Sequence, residues 1–85
     1  MRTIKQAAVK IADKVYTLPR PARHGDIYSV AHKDNPKDFN SKVDGFLTDA
    51  DEFVDRHEAA EIAFNAHQII SDDFTFKTLY TEDLW

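Results

Sequence analysis

The 85-residue chain contains no cysteine. That absence excludes disulfides, thiolate metal sites and a cysteine nucleophile, and it suits a reducing compartment, with the cytosol as the simplest expectation. No apolar run approaches the roughly 18 residues of a membrane span, and the opening Met1-Arg2-Thr3-Ile4-Lys5-Gln6 lacks the long apolar region of a signal peptide. Neither insertion nor secretion is expected. Also missing are a nucleophile elbow, a glycine-rich phosphate loop, a triad, a Gly/Ser linker and a repeat of solenoid period. The four histidines, His24, His32, His57 and His67, form neither H-x-x-x-H nor H-E-x-x-H, so no metal site and no cofactor are expected. Carboxylate pairs can be drawn from many acids, but with 15 Asp and Glu such pairs arise by chance and point to no catalysis.

What is present suffices for a core. The apolar fraction is 42%, and six Phe, three Tyr and one Trp supply large side chains, so the chain is expected to fold as one domain over residues 1–85. At this length a single core is only marginally sufficient, which makes self-association as a homo-oligomer a fair expectation. The formal charge of −4 argues against general nucleic-acid binding, which usually needs a basic face. The charge is unevenly placed. Up to Lys42 nine Lys or Arg stand against four Asp, whereas from Val43 onward Arg56 and Lys77 stand against eleven Asp or Glu. Such asymmetry can bring the halves together, match subunits head to tail, or simply distribute solubilising charge.

The pattern along the chain predicts an α+β fold with two β-hairpins and two helices. Thr3 to Ile11 and Val15 to Leu18 read as hairpin strands around Ala12-Asp13-Lys14, although Gln6 to Lys10 also suits a helix start. Pro19 and Pro21 end the ladder, and Pro21 is placed to open a helix from about Ala22 to His32. Its Gly25 either weakens the first turn or admits a close backbone or ligand. Lys33 to Asp44 is polar and reads as an exposed loop. Gly45-Phe46-Leu47-Thr48 and Phe53-Val54 then form a second hairpin, and Asp55 caps a helix whose Glu58 can complete a capping box. Ala59, Ile62, Ala63, Ala66 and Ile69 or Ile70 line one helical stripe, with Phe64 off it as a candidate second contact surface. The final Leu79-Tyr80-Thr81-Glu82-Asp83-Leu84-Trp85 is too apolar for a solvated tail and is expected to dock on this subunit or a neighbour.

From Pro21-Ala22-Arg23-His24, through Gly45-Phe46-Leu47-Thr48, Phe53-Val54-Asp55-Arg56 and Glu58-Ala59-Ala60, to Leu79 through Trp85, the chain resembles a set of small phage and prophage proteins. Their pattern is of the type P-A-R-H-x-D-I, then G-F-L-T-x-x-G-x-F-V-D-R-x-E-A-A, then a Gln-Ile step and S-E-D-L. This chain departs from it at Asp51, where the hairpin turn is expected to hold glycine, and at His67, where a small residue is usual. The resemblance implies phage origin and no settled activity. Small acidic phage proteins often act by stoichiometric binding, as inhibitors of host defence enzymes or as oligomeric sponges for nucleotide second messengers, so that context sets the expected class.

Two Arg-His pairs, Arg23-His24 and Arg56-His57, fall where helices begin. Helix N-termini carry partial positive charge, so cations there call for an acid or a bound anion. Arg23, His24 and Asp26 can hold a phosphate between guanidinium, imidazole and free N–H groups, with Asp26 orienting His24 or binding a sugar hydroxyl. They can equally pair with the acidic half, pack on Tyr28 and complement the helix dipole. Arg56 joins if the helix starts converge, while His57 points to solvent. Arg20, between two prolines, is a further clamp, and Tyr80 with Trp85 offers stacking or core burial. The leading expectation is a phage counter-defence protein that sequesters an anionic small molecule, with a nucleotide second messenger as the expected ligand class, in the host cytoplasm through Arg20, Arg23, His24, Asp26, Arg56 and Tyr80. The alternative is an inhibitor that covers a basic face of a host defence protein.

Overall fold

The computed structural model describes all 85 residues. Strands β1 (Ile4–Ile11) and β2 (Lys14–Thr17) form the first hairpin, with Ile11 opposite Lys14. The turn is therefore only Ala12-Asp13, and Ala12 alone of the two has a positive φ, 54°. That is the pattern of a type II′ turn, whose first central position favours glycine. Helix is rejected for Gln6 to Lys10 because alternation wins: Ala7, Val9 and Ile11 face the core, and Lys10 lies between them on the other side. Ile4 shares the core face with Ala7 although three positions apart. A bulge between Ile4 and Gln6 inserts the extra residue and reverses the alternation.

The second hairpin joins β3 (Val43–Thr48) to β4 (Phe53–Asp55), and antiparallel pairing of β1 with β3 fuses both hairpins into one sheet of order β2-β1-β3-β4. In its turn the Asp51 N–H donates to the Thr48 carbonyl at 2.9 Å and the Thr48 N–H donates to the Glu52 carbonyl at 2.9 Å. Asp51, at φ 61°, holds the left-handed position of a G1 bulge. This explains why glycine is expected there. The Thr48 hydroxyl also accepts from the N–H groups of Ala50 and Glu52, at 3.3 and 3.2 Å.

Helices α1 (His24–Asp34) and α2 (Arg56–Asn65) cover the face bearing Ala7, Val9, Phe46 and Val54, through Ile27 and Ala31 of α1 and Ala59, Ala60, Ile62 and Ala63 of α2. Helix α1 starts two residues later than expected, with Arg23 as its N-cap residue, so Pro21 precedes the helix instead of opening it. It runs on to Asp34, a 3-10 turn follows at Phe39–Ser41, and β3 claims Val43 and Asp44, so the polar loop is shorter than its composition suggested. Asp55 caps α2 as expected, its Oδ1 accepting from the Glu58 N–H at 2.8 Å. Glu58 turns instead to Arg2, at 3.1 Å, leaving the reciprocal half of the box unmade.

Helix α2 ends in a Schellman motif. The Gln68 N–H reaches the Ala63 carbonyl and the His67 N–H reaches that of Phe64, at 2.9 and 3.1 Å, with His67 left-handed at φ 58°. Because the helix stops there, Ile69 packs on the core from outside the stripe and Ile70 faces solvent. Gln68 then pairs with both main-chain groups of Ile4, accepting from its N–H at 2.8 Å and donating to its carbonyl at 2.9 Å. Leu79 and Leu84 are core residues, so the final segment docks on its own chain. No helix is long and apolar enough to cross a membrane.

Candidate functional site

The starts of α1 and α2 converge, and the final segment lies across them. A cavity of about 140 Å³ opens at this junction, lined by Arg23, His24, Gly25, Arg56, Tyr80, Thr81 and Glu82. Four of the six residues singled out in the sequence therefore meet. Arg20 and Asp26 do not line the cavity. Arg20 stacks on the Trp85 ring, 4.3 Å from its centroid, and donates weakly to the Leu84 carbonyl at 3.5 Å. Asp26 accepts from the Arg23 N–H at 2.9 Å and so caps its own helix. His57 turns away, its Nδ1 donating to the Lys77 carbonyl at 3.1 Å.

The cations differ in how completely they are engaged. Arg23 is half-exposed and donates to Glu82 at 2.8 Å and to the main-chain oxygen of Trp85. Arg56 is mostly buried, with a side-chain exposure of 19%. Its guanidinium donates to the Leu79 carbonyl at 2.7 Å and to Asp44 Oδ2 at 3.3 Å, and it lies 4.8 Å from the Tyr80 ring centroid. Tyr28 donates its hydroxyl to the same Asp44 oxygen. Burial, reinforced by the Asp44 carboxylate, pushes the Tyr28 hydroxyl up to about 12, so it stays protonated. Arg56 thus holds the helix junction together, and Arg23 is the cation an incoming anion can reach.

His24 behaves as a neutral side chain. It is buried against the edge of the Phe46 ring, with centroids 5.0 Å apart, and its Nε2 lies 2.7 Å from the Gly45 carbonyl. A carbonyl only accepts, so Nε2 carries the proton. Burial lowers the His24 pKa below its ordinary 6.5, and Arg56 adds to that against the opposing pull of the Gly45 carbonyl and Asp44. The imidazole consequently offers no N–H to an anion, contrary to the donor role its place in the helix start suggested. The main chain supplies what the ring does not. The N–H groups of His24 and Gly25, in the first turn of α1, have no acceptor, and a Cβ built on Gly25 would meet nothing within 4 Å. Glu82 brings the opposing charge. Burial raises its pKa, but its own N–H, Arg23 and Thr81 outweigh that and hold the carboxyl below the usual range.

Asp44 and Glu82 were not singled out in the sequence. Asp44 reads there as the end of a polar loop, yet it stands two residues before core-facing Phe46, and strand alternation puts it on the inner face beside Arg56. Glu82 lies 59 positions from its partner Arg23, beyond any local pattern. No curated protein and no solved structure matches the chain. The model of a family described as Phage T4 y16D protein matches residues 3–85, almost the full length. This chain therefore belongs to the phage T4 y16D protein family.

Proposed function

We propose that the protein binds and sequesters an anionic small molecule, with a nucleotide second messenger as the ligand class, acting stoichiometrically in the cytoplasm of the host. One observation carries this reading: Arg23, Arg56, Tyr80 and the open first turn of α1, remote in sequence, surround a single cavity. An anionic group would take the place of Glu82 on Arg23 and accept from the free N–H groups of His24 and Gly25. The exchange is energetically modest, because the Arg23 and Glu82 side chains are 43% and 66% exposed and a surface pair of this kind contributes roughly 0–1 kcal/mol. Tyr80, half-exposed and backed by Arg56, offers a ring for a base to stack on.

Size limits what the cavity alone can hold. At about 140 Å³ it suits a phosphate-sized group, while sites that enclose a whole small molecule run from roughly 300 Å³ upward. The remainder of a nucleotide would lie over Tyr80 or against a second subunit, which links sequestration to the proposed self-association. Calorimetric and thermal-shift titration with cyclic and linear nucleotides tests the reading. Arg23→Ala should abolish measurable binding. Glu82→Gln removes the competing carboxylate side chain, leaving only the Trp85 main-chain oxygen on Arg23, and should tighten binding by about two- to fivefold, the equivalent of up to about 1 kcal/mol. Sequestration is refuted if no nucleotide binds, or if Arg23→Ala and Arg56→Ala, both folded, bind as well as the parent.

A further inference from the structure

A second surface, away from the cavity, carries three phenylalanines in mutual contact. Phe64 projects from the outer side of α2, and Phe74 and Phe76 come from the segment that follows it, with ring centroids 6.3 Å apart for Phe64 and Phe74, 4.6 Å for Phe64 and Phe76, and 5.3 Å for Phe74 and Phe76. Phe64 is 47% exposed and Phe76 61%. The rings are held in place. His57 on α2 donates to the Lys77 carbonyl, and a bridge between Thr75 and Thr78 turns the segment back on itself. Clustered, pre-positioned aromatics facing water are a feature of interfaces more than of ordinary surface.

The charges around the rings identify the occupant. Glu61 stands three residues before Phe64 and hence on the same side of α2, and Asp72 and Asp73 directly precede Phe74. All three are exposed, and none takes part in an ion pair. Lys77 is the one cation in the segment. We propose that this surface docks a basic, arginine- or lysine-bearing segment of a partner protein, whose cations lie over the ring faces and pair with the three free carboxylates. Nucleic acid would be repelled by those carboxylates. A second copy of the chain meeting this patch through a two-fold axis would set the same acids against one another.

The test is calorimetry at physiological salt with a synthetic Arg-Gly repeat peptide as probe and a Glu-Gly repeat as control. The Arg peptide should bind and the Glu peptide should not. Phe76→Ser and the double variant Asp72→Asn/Asp73→Asn should each weaken binding about tenfold, while Asp13→Asn/Glu52→Gln, which removes equal charge elsewhere, leaves it unchanged. Arg23→Ala should also leave it unchanged, which separates this surface from the anion cavity. The proposal is overturned if the Arg peptide does not bind, or if Asp13→Asn/Glu52→Gln weakens it as much as the paired Asp change. It is equally overturned if sedimentation shows a parent dimer that Phe64→Ser/Phe76→Ser dissociates, because the patch would then be covered by a second copy.

Discussion

Substituting His67 by glycine should stabilise the protein, and the reason lies in one backbone angle. His67 ends α2 at φ 58°, where the Cβ of an L-residue crowds the carbonyl and costs roughly 1–2 kcal/mol. Its imidazole makes no hydrogen bond and is exposed, so little else is lost with it. Glycine removes the crowding, but its freer unfolded chain returns about 0.5–1 kcal/mol. The net expectation is a gain of about 0.5–1 kcal/mol, or roughly 2–8 °C in midpoint for a domain of this size. Urea unfolding followed by circular dichroism would measure it, with His67→Ala as the comparison. Alanine keeps the Cβ and should gain little. If His67→Ala stabilises as much as His67→Gly, the effect comes from losing the imidazole, and the backbone argument fails.

Ala12→Gly should give a similar gain, since Ala12 holds the glycine position of the first hairpin turn; a lower urea midpoint would contradict that assignment. Gly45→Ala should destabilise by about 2 kcal/mol or more, because the new Cβ would collide with the Val54 carbonyl oxygen and sit 2.6 Å from the Phe53 ring. Truncating Phe53 as well should not rescue it, as the Val54 carbonyl belongs to the paired strand backbone; recovery in the double variant would show that the ring alone was at fault. His24 predicts a pH dependence. Its folded pKa lies below the unfolded 6.5, so between the two the unfolded chain binds more protons, and the stabilising contribution is complete above pH 6.5 and lost as pH falls towards the lowered value. Stability profiles of the parent and His24→Gln should differ in slope through that window, and parallel profiles would mean that His24 is not buried neutral.

Much of the architecture is legible in the residues themselves. Alternation of apolar positions marks the first hairpin, two short apolar runs flanking Asp49-Ala50-Asp51-Glu52 mark the second, Asp55 before Arg56 and Glu58 marks the start of α2, and Leu79, Leu84 and Trp85 announce a docked final segment. These features depend on neighbours within a few positions or on hydrophobic periodicity, which any chain carries in its own order. Even the departures from the phage pattern carry information, because Asp51 and His67 both occupy left-handed positions where a side chain is unfavourable. Two Arg-His pairs at helix starts likewise suggest a site. What that site can do depends on groups far away in the chain. His24 loses its donor to the Gly45 carbonyl, Arg56 is taken by Leu79 and Asp44, and Arg23 is left half-exposed, shared between the main-chain oxygen of Trp85 and the exposed, displaceable Glu82. Periodicity says which face of an element is buried but not which side chain or carbonyl lies opposite, so the choice of the reachable cation belongs to tertiary structure alone.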